Sequence, residues 1–196
     1  MEAAIVLLIS EIMYNPASKE DVPNLVEWVE VYNPGDAAVD LSGLRLADED
    51  GQTEAIPTGT TLEPGAAVVL IPADQSVEEF RKAWGDGVAV VALPGWGKPG
   101  LTGLGNNPSD KNEVLKLIDA GGRVIDEVNF DDEGDWPTDD PQGPSIYLKP
   151  DALTATGNDE GKNWARSEAG KDGAKRCTKT DTFNGEDVGS PGHVEK

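Results

Sequence analysis

An all-β chain of about nine short strands, with one short helix and long loop insertions, is what the sequence predicts. Three observations carry that expectation. Twenty-three glycines and fourteen prolines in 196 residues interrupt the chain too often for long helices. Between those breaks, runs rich in β-branched and aromatic residues recur. One stretch alone shows helical periodicity framed by a start and a stop signal.

The first strand is read over Ile5–Tyr14. Its leading run, "AAIVLLIS", is too short to span a bilayer, lacks a basic leading segment and passes into strand-like alternation, so no membrane insertion is expected. The second, Val26–Asn33 ("VEWVEVYN"), does not alternate cleanly; Glu27 and Glu30 fall where one side should be wet, and a bulge or twist is expected near Trp28. Asn33-Pro34-Gly35-Asp36 should then reverse the chain, because proline presets φ and glycine accepts the left-handed region. Leu44–Ala47 is the third strand, followed by a turn at Asp50-Gly51, and Ala66–Ile71 is the fourth.

Ser76-Val77-Glu78-Glu79 is a capping-box pattern, after which Val77, Phe80, Ala83 and Trp84 share one helical face and Gly85 stops the helix. Val88–Leu93 returns to strand. From Pro94 to Asn112, five glycines and three prolines without apolar period predict a long irregular loop. Val114–Asp119 and Arg123–Phe130 form the clearest hairpin, turning at Ala120-Gly121-Gly122. Ser145–Leu148 and Asn163–Arg166 complete the set, and the polar, Gly-rich Glu168–Asp187 reads as an excursion from the fold. Neither an internal repeat nor a linker composition is visible, so the expectation is a single domain over residues 1–196 with irregular insertions at 94–112 and 168–187.

Sixteen basic and thirty-seven acidic side chains leave a formal charge of −21, a field that repels phosphate backbones and anionic lipid. Nucleic acid is therefore excluded as a partner. With His193 the only histidine and Cys177 the only cysteine, a histidine-based triad, a structural zinc site and an internal disulfide are all without the residues they need. Ser42 lacks the G-x-S-x-G setting of a nucleophile elbow, and no phosphate-cradling G-x-x-x-x-G-K-[ST] motif occurs. No catalytic and no cofactor-binding residue is identified.

Carboxylates are the remaining chemistry. A pair with separated pKa values can hydrolyse a glycosidic bond, which keeps a carboxylate-dependent hydrolase as an alternative, but in a chain this acidic most such residues should be solvated surface. Calcium suits them better. "DDEGDWPTDD" gathers Asp131, Asp132, Glu133, Asp135, Asp139 and Asp140, and hard oxygen donors on flexible backbone are what that ion takes, although the spacing is not that of an EF-hand. Of the aspartates, Asp131, Asp132, Asp135, Asp139 and Asp140 are the candidate ligands. Trp28, Trp84 and Trp164 sit in strand or helix patterns and should be core anchors, whereas Trp96 and Trp136 lie in loops and are candidate partner-binding platforms.

"LLISEIMYNP" followed by "EWVEVYNPGDAAVDLSGLRLAD" resembles the start of the lamin-tail domain found in nuclear lamins and in many bacterial surface and secreted proteins. "LEPGAAVVL", the hairpin ending "DEVNF", Trp136 followed by "SIYLKP", Asn163-Trp164 and "GSPG" at Gly189–Gly192 extend the likeness over nearly the whole chain. It departs from that pattern where "SPG" is followed by His193-Val194 instead of running to an asparagine, and where Glu168–Asp187 looks inserted. The resemblance implies an immunoglobulin-like β-sandwich of bacterial or archaeal type, with Leu41 and Leu44 facing inward, Gly43 in a tight turn and no catalytic residue in the signature. It further implies a non-catalytic binding or attachment module of an extracellular or cell-surface protein, meeting a protein or glycan partner; a calcium-stabilised module is the alternative. Lamins also contact DNA through this domain, a property that a charge of −21 argues against here.

Overall fold

A computed structural model describes residues 6–18, 26–49, 51–97, 99–105 and 113–196. Ile5, Asp50 and part of the 94–112 loop (98 and 106–112) lie outside the described residues. The strands in chain order are β1 (Leu8–Met13), β2 (Trp28–Tyr32), β3 (Val39–Asp40), β4 (Arg45–Ala47), β5 (Thr61–Leu62), β6 (Ala67–Pro72), β7 (Val90–Leu93), β8 (Glu113–Ile118), β9 (Val124–Phe130), β10 (Ile146–Leu148), β11 (Trp164–Arg166), β12 (Lys175–Arg176) and β13 (Val188–Gly189). Among the described residues one α-helix, α1 (Val77–Trp84), lies between β6 and β7. Each of the nine expected strands is present. The four additions, β3, β5, β12 and β13, are two residues long, too short to leave an alternation to read.

A six-stranded sheet in the order β11-β10-β1-β2-β6-β7 and a three-stranded sheet in the order β4-β8-β9 are the two layers, with β3-β5 and β12-β13 as small ladders beside them. Alternation along the strands decides what each face of the large sheet meets. Ile12, Val29, Val31, Val68 and Leu70 point to one side, where they pack with Leu46, Leu115, Leu117, Val128 and Phe130 of the smaller sheet. Met13, Trp28, Val69 and Ile71 point to the other and meet Phe80, Ala83 and Trp84 of α1. The sheet is therefore covered on both faces, which is why β2 is buried at every residue and does not alternate in polarity.

Local chemistry explains the turns. Asn33 Oδ1 accepts from Gly35 N at 2.9 Å, while its Nδ2 donates to the carbonyls of Ala37 and Leu62, closing the Asn33–Asp36 turn. At Asp119–Arg123 one carboxylate oxygen accepts from Gly121 N and Arg123 N, both at 2.9 Å. Those backbone donors, that of Arg123 foremost, hold the Asp119 carboxyl below its ordinary range. Gly43 has φ +86°, and the turn it makes sends Leu41 and Leu44 inward, to 1% and 4% exposure. Ser76 Oγ accepts from Glu79 N at 3.3 Å and caps α1, which ends at Gly85 as its N–H reaches Arg81 O.

Three expectations are corrected. The register shift lies not at Trp28 but on the facing strand, between Ile9 and Glu11 of β1, so β2 runs straight. Glu27 and Glu30 are not wet: they are 5% and 1% exposed, covered by the 94–105 loop and by the C-terminal segment respectively. The stretch from Glu168 to Asp187 packs onto the body, because Cys177 and Phe183 complete the aromatic cluster of Trp28, Phe80 and Trp84. Its polarity reflects the many backbone and side-chain groups that face outward around those two anchors.

The described part of the 94–112 loop is likewise packed, with Leu101 and Leu104 fully buried. Gly100 passes so close to the Gly95 carbonyl that a Cβ there would overlap it. Gly100→Ala is expected to destabilise by about 2–4 kcal/mol, since the neighbour is backbone and cannot swing away. Urea denaturation checks this, with an unchanged midpoint as the contrary result.

Candidate functional site

The residues expected to carry function are not gathered into one place. Trp96 is 6% exposed and packs in the core between the sheets, so its ring offers no platform; Leu101 pairs with it across an isolated bridge. Trp136 is half-buried against Trp164, ring centroids 5.9 Å apart, and covers Gly161. Trp28, Trp84 and Trp164 are the core anchors that their patterns predict.

The acidic loop after β9 spends its carboxylates on its own backbone and on neighbours. Asp131 Oδ1 accepts from Asp132 N and Glu133 N, at 2.7 and 3.2 Å. Asp139 Oδ2 accepts from Asn15 Nδ2 at 2.7 Å, Asp140 N donates to Thr138 Oγ1 at 3.3 Å, and Asp135 is exposed. Desolvation and then the Asp139 charge raise the Asp132 carboxyl above its ordinary range. Among the described residues no group of three or more His, Cys, Asp or Glu side chains is arranged to hold a metal ion, and these five aspartates do not converge.

The organised polar centre lies instead on the outer face of the large sheet. Register places Ala165, Tyr147, Glu11, Glu30, Val69 and Val90 in one row across β11, β10, β1, β2, β6 and β7. Glu11 and Glu30, each 1% exposed, are thus direct neighbours. Glu11 Oε1 accepts from Ser145 Oγ at 2.5 Å, Ser190 N at 2.8 Å and Ser167 Oγ at 3.4 Å, and its Oε2 accepts from Ser190 Oγ at 2.7 Å. Glu30 Oε1 accepts from Ser10 Oγ at 2.8 Å and its Oε2 from Gly192 N at 2.6 Å. Burial, followed by the charge of Glu11, pushes the Glu30 carboxyl up to about 8, and burial pushes Glu11 upward too. A cavity of about 10 Å³, room for a single water, adjoins the pair and is lined also by Tyr147, Asp172, His193 and Glu195.

Three further carboxylates are buried, each accepting from at least one backbone N–H. Glu27 Oε2 accepts from Leu104 N at 3.0 Å. Asp126 Oδ2 accepts from Ile9 N and Asn158 Nδ2, both at 2.7 Å, tying β9 to β1 across the sandwich; burial lifts its carboxyl to about 6. Asp187 accepts from Ala17 N at 2.6 Å and from Ser18, and burial raises it as well. Each of these side chains fastens a loop to the sheets. Sequence reasoning took them for surface. The available signal was an acid set between apolar neighbours inside a strand, as in "LISEIM", "WVEVY" and "VIDEV".

These buried acids fasten loops to the sheets. Glu11 and Glu30 are sealed, the hydroxyls of Ser145 and Ser190 donate to Glu11, that of Ser167 lies 2.8 Å from Ser145 Oγ and 3.4 Å from Glu11, and the lone Cys177 is buried. Among the described residues, two clefts of about 340 Å³ each sit elsewhere: one by Tyr14–Ser18, the other between α1 and the Ser190–His193 turn.

Two packed layers, antiparallel except for the parallel β6–β7 pair and closed by buried hydrogen-bonded loops, define the chain as an immunoglobulin-like, all-β sandwich. The family model described as Lamin Tail Domain matches residues 2–132, and the chain belongs to that family, whose domains are generally non-catalytic interaction modules. No curated protein and no solved structure matches the chain.

Proposed function

We propose that the chain is a non-catalytic contact module of a secreted or cell-surface protein of bacterial or archaeal type, meeting protein or glycan partners. The observation that carries this reading is the sealed state of its best-organised polar centre: Glu11 and Glu30 are 1% exposed and bound by hydroxyl and amide donors, an arrangement that fixes loops and leaves surface contact as the chemistry on offer. The charge of −21 directs that surface away from nucleic acid and anionic lipid, and among the described residues no helix is long and apolar enough to cross a membrane. The open clefts, walled by the 14–18 segment and by the turn after β13, are where a partner's side chain or sugar would enter.

An array of bacterial surface glycans and a pull-down from cell-wall extract test the proposal, with a duplex-DNA gel shift alongside. The expected result is saturable capture of a surface glycan or protein and no shift of DNA at moderate salt. Tight duplex binding, or turnover of a glycoside substrate abolished by a carboxylate substitution, would overturn it.

A further inference from the structure

We propose that Glu11 and Glu30 share one negative charge and act as a proton-controlled latch on the Ser190–His193 turn, holding it while one carboxyl is protonated and loosening it when both ionise. This goes beyond the contact-module reading and does not depend on it.

The geometry supplies the latch. The pair is enclosed on one side by β10, β1 and β2, whose backbones are hydrogen-bonded to neighbours on both sides and resist movement. On the other side the cover is the turn itself. Its tethers to the sheet include Ser190 N and Oγ on Glu11, and Gly192 N on Glu30. Gly189 leads into it through a tight passage, since a Cβ would stand 3.0 Å from both Glu11 Oε1 and the Trp28 ring. Gly192 and His193 are exposed, so this wall is the one that can lift. The "GSPG" motif thus gains a physical meaning: a glycine that passes the carboxylate, a serine that binds it twice, and a second glycine that binds its neighbour.

Charge supplies the switch. Facing the pair are Ser10 from β1, Tyr147 from β10, Ser145 and Ser167 beside β10 and β11, Asp172 from the segment before β12, and Ser190, His193 and Glu195 from the tail. Tyr147 donates its hydroxyl to Asp172, and His193 Nε2 lies 3.0 Å from Glu195, so no cation in this set offsets two buried charges. Two adjacent carboxylates without a cation cannot both ionise at low cost. Glu11, with four donors, carries the charge; Glu30, with two, keeps the proton, and its elevated titration agrees. When Glu30 ionises, repulsion and desolvation are relieved by admitting water under the turn. The same turn walls the cleft beside Trp84, Val88 and Lys175, so its release reshapes that opening.

Carboxyl-carbon NMR titration of the wild type, with ¹⁵N heteronuclear NOEs of residues 190–194 at about pH 7 and about pH 9, tests the latch. Two well-separated ionisations are expected, the second near 8, with NOEs of the turn dropping across it while those of β6 stay constant. In Glu30→Gln the turn should remain ordered at both pH values. Both glutamates ionised at pH 7, a turn as ordered at pH 9 as at pH 7, or equal loosening in Glu30→Gln would each overturn the proposal. If Glu30→Gln does not fold, the wild-type titration and NOEs decide alone.

Discussion

Lowering the pH from about 9 to about 5 is expected to raise the thermal midpoint of this protein, the reverse of what an acidic protein stabilised by surface ion pairs would do. Glu30 moves from an ordinary 4.5 to about 8 on folding, and Asp126 from 3.8 to about 6, in both cases chiefly through burial. Between those limits the folded chain binds more protons than the unfolded one, so stability falls as pH rises. For Glu30 the contribution is complete below 4.5 and gone above about 8; for Asp126 it is complete below 3.8 and gone above about 6. The carboxyls of Asp40, Glu79 and Asp119 are shifted down and act in the opposite sense, but only below 3.8 to 4.5. The net effect is a maximum near pH 4 to 5, with a loss on the order of a few kcal/mol toward alkaline pH, roughly 5–10 °C in midpoint. Calorimetry at fixed ionic strength measures it. A flat profile between pH 5 and 9 would show that these buried acids ionise normally.

Trp28→Ala should cost about 3–5 kcal/mol, the usual loss for a large aromatic removed from a packed core. The ring is fully buried and lies edge-on to Phe80 and Trp84, with centroids 6.2 and 5.9 Å away. Phe80 and Trp84 in turn hold Phe183 at 5.9 and 6.1 Å. The hole therefore undermines two attachments at once, that of α1 and that of the 168–187 stretch. A midpoint lowered by about 10 °C is expected by calorimetry, accompanied by faster tryptic cleavage at the exposed Lys175 and Arg176. Loss of stability without new cleavage there would mean that the late segment is anchored independently of the aromatic cluster.

The elements recognised from sequence are those whose cause is local. The β8–β9 hairpin follows from a Gly-Gly turn between two apolar runs, and α1 from a serine cap and a terminal glycine a few residues away. Leu41, Gly43 and Leu44 behave as the family resemblance implies, because a turn is specified by the residues that make it. What escaped depends on distant chain. Glu30 looks like a solvated strand position until residues 190–192 close over it, and Trp96 looks like a loop aromatic until the loop packs inward. Cys177 and Phe183, in a polar context, give no sign that they complete a core begun at Met13.

By itself, then, the sequence determined an all-β chain with nine principal strands, one helix and a strongly negative net charge. Periodicity, turn chemistry and net charge act over a few residues or over the whole chain, and both can be read in one dimension. Tertiary structure alone decided which acids are buried, that Glu11 and Glu30 stand side by side, and that the late segment covers them. Burial is a property of what arrives from elsewhere in the chain, and desolvation, which sets the behaviour of those carboxyls, exists only once it has arrived.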